Sequence, residues 1–497
     1  MIDGLILGFK AALSLQALMY CLLGVSIGTA IGVLPGLGPV ATIAMLMPLT
    51  FGLDPLAGMI MLAGIYYGAQ YGGSTTAILV NLPGESSSVV TCLDGYQMAR
   101  KGEAGYALAI AAVGSFIAGT IATLFIAVLS PTLALLALQF GAPEYFSLMV
   151  LGLISSVALA HGDILKSLAM IVVGVLLGLV GMDVSSGAQR FTLSFGELND
   201  GLSFVSIAMG MFGIAEIFRN LEDIESTAFV NFNMRSVYAS LKRLPEIIPA
   251  VLRGTAIGTF LGCLPGGGAV LSSFAAYTTE KKLSKNPSLF GTGVPEGIAS
   301  PEAANNAGAQ TSFIPMLTLG LPSNPVMALM IGALIIHGIQ PGPQVMTNQP
   351  VLFWGIIASM WIGNLMLLVI NLPLVGLWAR LIAVPYRALY PSILVFCCIG
   401  VFSVNNSPFD LYIMCVFAFL GYIFNMLGCE MAPLILSVIL GPMLEEYFRR
   451  SLLISRGDMV VFLVRPISAV LLVASFFVLI AIALPSIRTL REKATAE

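Results

Sequence analysis

Long apolar runs without a charged residue dominate the chain. Four of them cover residues 11–53, 55–84, 104–143 and 303–379. A membrane-spanning helix needs about 20 consecutive apolar residues, so several of these runs are long enough for two helices. Because lipid offers no partner for an unpaired backbone group, each span must satisfy its own hydrogen bonds as a helix. The pattern predicts an all-α polytopic integral membrane protein with about 12 transmembrane helices.

Proline and glycine interrupt two of the apolar segments in a similar way. Residues 31–40 read IGVLPGLGPV and residues 261–270 read LGCLPGGGAV, with six of ten positions identical. A second match follows in the same order in both halves, with Gly-Ala-Gln at 68–70 and 308–310. Leu-Pro then recurs at 82–83 and 321–322. The order of these matches predicts an internal duplication.

The distribution of Lys and Arg predicts that the two halves are inserted in opposite directions. Residues 49–55 contain no basic residue, whereas the corresponding stretch 281–285 contains three lysines. After the second match the bias reverses, with Arg100 and Lys101 in the first half and an uncharged stretch at 338–350 in the second. Since basic loops stay in the cytoplasm, we expect two inverted-topology repeats with re-entrant or broken helices, an arrangement common in secondary transporters.

The predicted divisions are a first transmembrane repeat at 1–218, a cytoplasmic connecting segment at 219–246, a second repeat at 247–486 and a C-terminal tail at 487–497.

Composition narrows the classes of function. The chain has 22 Lys and Arg and 25 Asp and Glu, a charged share of 9%, and 58% of its residues are hydrophobic. A typical soluble domain carries about 25% charged residues. Without a dense basic run, nucleic acid is excluded as a partner. Seven cysteines without a Cys-x-x-Cys pair and two histidines predict no structural metal site, and the absence of a P-loop motif excludes an ATP motor of that kind. We predict no cofactor.

The two Leu-Pro-Gly motifs are predicted to break their helices within the membrane. Proline removes a backbone donor and glycine permits positive φ. A break at that depth exposes amides, which attract carboxylates, and carbonyls, which bind Na⁺. The alternative is a kink for close helix packing, which the Gly-x-x-x-Gly ladder upstream of each motif favours for its own glycines. Because the motif is duplicated, we predict substrate-binding backbone at Gly36, Gly38, Gly266 and Gly268, and carbonyls for the coupling ion at Pro35, Pro265 and Gly267.

A run of hydroxyls in the first half is a further candidate. Ser74, Thr75 and Thr76 can donate hydrogen bonds to a carboxylate or coordinate a small cation. The alternative is bonding to carbonyls of their own helix, which is common for Ser and Thr in membranes. Three consecutive residues cannot share one helix face, so we predict that these residues contribute to the substrate site.

The second half offers two amides and a carboxylate. Ser300 and Pro301 are typical of an N-cap and a first helical position, which places Glu302 in the first turn. Glu302 then either complements the helix N-terminus or couples an ion. Asn305 and Asn306 either bind substrate oxygens or bond between helices; we predict that they bind substrate. The other acids mostly lie at predicted span ends and are interpreted as interfacial, Glu85 and Asp94 among them.

Five motifs give the chain a specific resemblance. They are LPGLGP (34–39), IYYGAQYGGSTTAILVNLPGE (65–85), DGYQMARKGEAG (94–105), LPGGG (264–268) and PEAANNAGA (301–309). The chain resembles the large membrane subunit of the tripartite tricarboxylate transporters along nearly its whole length. One departure is Ser323-Asn324 after the second Leu-Pro, where a glycine is expected.

The resemblance implies a multi-pass permease of the bacterial inner membrane rather than an enzyme. It implies two partners, a small four-span membrane subunit and a periplasmic solute-binding protein. The implied activity is uptake of a di- or tricarboxylate such as citrate, driven by a Na⁺ or H⁺ gradient. Three alternatives stay open. The first is a channel, which conducts without an ion gradient, and the second is an intramembrane enzyme, which needs a catalytic constellation at mid-membrane. The third is a membrane scaffold, which would not require duplicated helix breaks. The scarcity of ionisable residues argues against the enzyme.

Overall fold

The computed structural model describes residues 1–34, 38–137, 139–159, 163–183, 187–215, 217–218, 234–264, 268–381 and 386–483. The helices of the first half are α1 Ile2–Ala12, α2 Leu15–Val33, α3 Pro39–Leu46, α4 Pro55–Val80, α5 Val89–Met98, α6 Ala104–Ala137, α7 Ala142–Leu159, α8 Ile164–Gly178 and α9 Phe204–Ala208. Two short strands, β1 Gly181–Met182 and β2 Gln189–Arg190, pair antiparallel.

The second half follows with α10 Met234–Ser240, α11 Ile248–Gly262, α12 Gly268–Leu283, α13 Glu296–Thr311, α14 Phe313–Leu319, α15 Pro325–Ile336, α16 Gln344–Asn348, α17 Pro350–Asn371, α18 Val375–Leu381, α19 Tyr386–Asn405, α20 Pro408–Met426, α21 Met431–Ile454, α22 Val461–Val464 and α23 Pro466–Ala483. The 3₁₀ segments are Met47–Gly52, Ser86–Ser88, Gly196–Leu198, Leu241–Ile247 and Pro287–Leu289, and the π-helical segments are Ala99–Glu103 and Met209–Ile214.

Among the described residues, six helical segments are long and apolar enough to cross a membrane, and six further apolar helices are shorter. The predicted class, an all-α polytopic membrane protein, is confirmed. The two helices that carry the polar motifs are enclosed by protein: residues 56–80 of α4 and 297–311 of α13 are all buried. Their hydroxyls, amides and carboxylate are therefore kept away from lipid, where an unpaired polar group is costly.

Glycines let α2 lie directly on α4. A Cβ added to Gly24, Gly28 or Gly32 would strike the backbone of α4. The backbone atoms that they meet belong, in this order, to Met61, Ile65 and Ala69. Both sets of numbers rise together, so α2 and α4 run parallel. The interpretation of the upstream glycine ladder as a packing surface is confirmed here.

The second half repeats this packing with α11 and α13. A Cβ at Gly254, Gly258 or Gly262 would meet the α13 backbone. The residues met are, in order, Ser300, Ala304 and Gly308. The glycines lie 230 positions after those of α2, and their partners lie 239 positions after those of α4. The second offset differs by one residue from the 240 that the Gly-Ala-Gln match predicts, because the structure pairs Ala69 with Gly308.

The chain reverses direction between α2 and α3. At the end of α2, the Val33 carbonyl accepts a 2.7 Å hydrogen bond from the Thr76 hydroxyl. The return segment reaches the start of α4, where a Cβ on Gly58 would lie 3.1 Å from the Cβ of Thr50. Gly58 and Thr76 are about 27 Å apart along the helix axis. Residues 15–52 therefore begin and end beside the same end of α4, and we call this segment hairpin A.

A second hairpin, hairpin B, consists of residues 248–283. Arg253 near the start of α11 donates to Glu280 near the end of α12, with a 3.0 Å bond from its Nε, and the pair closes the open end. The Gly268 carbonyl, at the other end of α12, faces Gly308 of α13. Helices therefore end before each Leu-Pro-Gly motif and restart after it, as predicted, while residues 35–37 and 265–267 lie outside the described part of the chain.

The two hairpins approach from opposite ends. Ser74 of α4 contacts Glu302 of α13, and the ring of Tyr67 lies 5.9 Å from that of Phe313 in α14. The α4 numbers fall as the α13–α14 numbers rise, so these helices run antiparallel. Each hairpin runs with its own partner helix, and hairpins A and B therefore point in opposite directions.

The glycine packing gives a test of the fold. We expect Gly28→Ala to lower the free energy of unfolding by about 1–3 kcal/mol, because its methyl group would overlap the Ile65 carbonyl. Gly52→Ala in the same hairpin is the control, since nothing lies within 4 Å of its added Cβ. Thermal unfolding of the detergent-solubilised variants measures the difference. Equal stability of the two variants would contradict the close packing.

Candidate substrate and cation site

A buried carboxylate, Glu302, is the centre of the candidate site. Glu302 has no exposed surface. Its carboxylate accepts hydrogen bonds from the hydroxyls of Ser74 and Thr91 and, at 3.2 Å, from the Asn305 amide. A carboxylate that is buried away from water needs such donors to offset the cost of its desolvation. Glu302 therefore connects α4, α5 and α13 at one point.

The start of α13 differs from the sequence prediction. The helix begins at Glu296, and the Pro295 carbonyl accepts its first backbone bonds. Ser300 is therefore no N-cap, and its hydroxyl is buried without a partner. Pro301 lies inside the helix, at the cost of one backbone hydrogen bond. Glu302 is consequently beyond the first turn, so complementing the helix N-terminus does not account for it.

The two predicted asparagines lie beside this carboxylate. The Asn306 amide lies within hydrogen-bond distance of Asn305 Oδ1 at 2.6 Å, Ser115 Oγ at 2.7 Å and the Glu302 carbonyl at 3.0 Å. The bond to Ser115 connects α13 to α6. Both side chains therefore have partners within the protein, and a substrate oxygen would have to replace one of them.

The three consecutive hydroxyls of α4 point to different partners. Ser74 donates to Glu302, and its Oγ is also 3.0 Å from the Gln70 carbonyl. Thr75 donates to the Tyr71 carbonyl at 3.4 Å. Thr76 donates to Val33 at the end of α2, a carbonyl left unpaired where the helix stops. Thr76 thus caps the C-terminal end of α2, whereas Ser74 and Thr75 line a cavity.

That cavity lies between α4, α6 and α17. Its volume is about 10 Å³ and its lining residues are Tyr71, Ser74, Thr75, Leu108, Ala111, Ala112 and Asn371. A cavity of this size has room for one water molecule. A di- or tricarboxylate therefore requires a more open arrangement of these helices.

Sequence reasoning missed a second buried carboxylate, Glu85. Its side chain is 9% exposed and accepts from the Ser87 hydroxyl and, at 3.1 Å, from the Ser87 amide. A Cβ on Gly73 would lie 2.9 Å from Glu85 Cγ, and one on Gly84 would meet the Gly32 carbonyl. The loop carrying Glu85 is thus folded back against α4 and the end of hairpin A. Its position after an apolar run led to the interfacial interpretation.

Asn324 occupies the corresponding place in the second half. It follows the second Leu-Pro as Glu85 follows the first, and its Oδ1 accepts a 3.0 Å bond from the Met327 amide. Its Nδ2 lies 3.5 Å from the Tyr66 hydroxyl and 3.3 Å from an added Cβ on Gly268. The shared position after Leu-Pro is the sequence signal that could have identified both residues.

Two of the glycines predicted to bind substrate through their backbone, Gly268 and Gly38, lie in the described part of the chain, and their backbone conformations differ. Gly268 has φ of +51°, a conformation that suits glycine, and lies against Asn324. Gly38 has φ of −75° and open space at its Cβ, so its backbone places no demand for glycine. The remaining predicted backbone positions lie outside the described residues: Pro35, Gly36, Pro265, Gly266 and Gly267.

A second polar group adjoins the first at the other end of α13. Gln310 accepts a 2.7 Å hydrogen bond from the Thr123 hydroxyl of α6 and donates at 2.8 Å to Asn364 of α17. All three side chains are buried. This group fixes α13 between the two long helices that flank it.

One family model and two known proteins match this chain. The model of the tripartite tricarboxylate transporter TctA family matches residues 18–436. An uncharacterized 52.8 kDa protein in the TAR-I ttuC' 3' region of Agrobacterium vitis is 57% identical over 497 residues, which is 100% of this chain and 99% of that protein. An uncharacterized protein in the TAR-II ttuC' 3' region of the same organism is 58% identical over 240 residues, 48% of this chain and 99% of its own length. No solved structure matches.

The family match includes residues 18–52 of hairpin A, all of hairpin B, the two buried polar helices and Glu302. It therefore covers every residue placed in the candidate site above. The chain belongs to the TctA family of the tripartite tricarboxylate transporters.

Proposed function

We propose that the chain is the large permease subunit of a secondary transporter that imports a citrate-like di- or tricarboxylate together with a cation. Its proposed partners are a small four-span membrane subunit and a periplasmic solute-binding protein, and its proposed location is a bacterial inner membrane. The observation that carries the proposal is the meeting of two oppositely directed hairpins at buried polar helices. Thr76 lies beside Val33 at the end of α2 and Asn324 beside Gly268 at the start of α12, with Glu302 in the adjoining helix.

We also propose that the two halves are inverted repeats divided near residues 219–246. The matched glycine packing and the antiparallel course of α4 and α13 support this topology. A further support is that Lys101 Nζ donates to the Thr292 carbonyl at 2.6 Å, so the basic loops of the two halves lie on one side. The positive-inside rule assigns that side to the cytoplasm.

In this proposal, neutral donors recognise the carboxylates. The side chains placed around Glu302 are hydroxyls and amides, and the starts of α3 and α12 would add backbone N–H groups. Helix N-termini within the membrane bind anions in other secondary transporters. Ser74, Thr75, Asn305 and the amides near Gly38 and Gly268 would form the site once the helices separate.

Glu302 favours the binding of a cation together with the substrate. A buried charge is costly unless an opposite charge neutralises it. Binding an anion next to an ionised Glu302 would add to that cost. A proton or a metal cation that arrives with the substrate removes it, so that the loaded site is closer to neutral and can be enclosed.

The first test of the function is uptake into proteoliposomes containing the chain with its two partner proteins. We expect uptake of labelled citrate-like carboxylates against their concentration gradient only when an inward Na⁺ or H⁺ gradient is imposed. Imposing the two gradients separately identifies the coupling cation. Uptake that only equilibrates the substrate, at equal rate without either gradient, would favour the channel instead.

The second test replaces the central carboxylate. We expect Glu302→Gln to lower gradient-driven uptake at least tenfold, because the amide keeps the shape but cannot carry a charge or a proton; a loss of this size corresponds to about 1.4 kcal/mol or more. Glu103→Gln is the matched control, because Glu103 is half exposed and pairs with Arg243 on the surface, where ion pairs contribute little. Normal uptake by Glu302→Gln at equal membrane expression would remove Glu302 from the coupling step.

A further inference from the structure

The cavity between α4, α6 and α17 contains two polar atoms whose hydrogen-bonding capacity is unused. Tyr71 and Asn371 both line it. They are 3% and 5% exposed, and Tyr71 Oη and Asn371 Oδ1 are buried without a hydrogen-bond partner. Buried polar atoms are nearly always paired, so such an exception in a cavity calls for a bound water or ion.

Three of the side chains around the cavity, Ser74, Thr75 and Asn371, already donate to other acceptors. Ser74 and Thr75 direct their hydroxyl protons to acceptors on α4 and α13. The Asn371 amide donates to the Leu367 carbonyl at 3.0 Å and to Thr29 Oγ1 at 3.3 Å. What these three side chains can still offer is oxygen lone pairs. Tyr71 is the single lining hydroxyl whose proton has no acceptor.

The geometry points to a site for a small monovalent cation, of the size of Na⁺, at Tyr71, Ser74, Thr75 and Asn371. Hard cations prefer oxygen ligands of this kind, and a bare sodium ion fits in the roughly 10 Å³ available. A water molecule can accept from the Tyr71 hydroxyl but has only two protons for the lone pairs of the other three side chains, whereas a cation is attracted by the lone pairs of all four. The inference deepens the proposed function, on which it rests, by naming the coupling cation and its ligands.

Two of the proposed cation ligands also bind other parts of the protein, one the Glu302 carboxylate and the other hairpin A. Ser74, one of its ligands, donates directly to Glu302, so a cation there lies one side chain from a negative charge in a medium of low dielectric. Asn371, another ligand, is held by Thr29 of α2. Cation binding therefore joins α4 and α17 next to hairpin A.

Thermal unfolding of the purified chain in detergent tests the site without transport. We expect NaCl to raise the midpoint of the wild type by about 2 °C over choline chloride or KCl at equal ionic strength. Tyr71→Phe removes only the unpaired hydroxyl, and Asn371→Ala removes the amide oxygen. Both variants are expected to lose the Na⁺-specific shift. Asn364→Ala, on the same helix but outside the cavity lining, is the control and should keep it.

Two results would overturn the site: a wild type that gains no more from NaCl than from KCl, which leaves the cavity to water, or a full Na⁺ shift in Tyr71→Phe. Tyr71→Phe decides if Asn371→Ala fails to fold. Carboxylate uptake driven by a pH gradient alone, with no Na⁺ shift, would reject this site and leave the proposed function standing. A Na⁺ shift lost in both variants of a chain that transports no carboxylate would support the site and reject the function.

Discussion

The structure depends on enclosing two polar helices completely within protein. α4 and α13 carry the hydroxyls, amides and central carboxylate that lipid would exclude, and both are buried along almost their entire length. Helices in a bilayer gain little from the hydrophobic effect on association, so close packing of small residues and interhelical hydrogen bonds must hold them. The glycine ladders provide the first and the bonds to Glu302 the second.

Local features of the fold could be predicted from sequence, because proline, glycine and apolar length act on their own turn of helix. The breaks at the Leu-Pro-Gly motifs are of this kind. Whether the chain crosses or turns back there depends on tertiary contacts such as that of Thr50 with Gly58, which no local pattern specifies. The true start of α13 was missed because Pro301 is tolerated inside the helix. Asn371 was missed because the cavity that it lines is formed with α4 and α6, which are distant from it in sequence.

The two halves are also joined at the open end of hairpin B. Asp94 of α5, interpreted from sequence as interfacial, is fully buried. It accepts bonds from the Tyr277 hydroxyl at 2.9 Å and from the backbone amides of Gly291, Gly293 and Val294 at 2.6–3.1 Å. A carboxylate surrounded by amides holds the loop after hairpin B against the first half. The open end of hairpin B therefore cannot move independently of α5.

These contacts indicate where motion is permitted. Backbone-to-backbone packing at the glycines leaves no space for sliding, so each hairpin and its partner helix behave as one body. Contacts of these bodies with α6 and α17 instead include exchangeable side-chain bonds, such as those of Asn306 with Ser115 and of Gln310 with Asn364. Movement of the two hairpins, each with its partner helix, against α6 and α17 would widen the cavity without separating the glycine packing. The proposed cation ligands lie across this boundary, Tyr71 on one side and Asn371 on the other, so a bound ion would bias the equilibrium between closed and open states by its preference for the closed one.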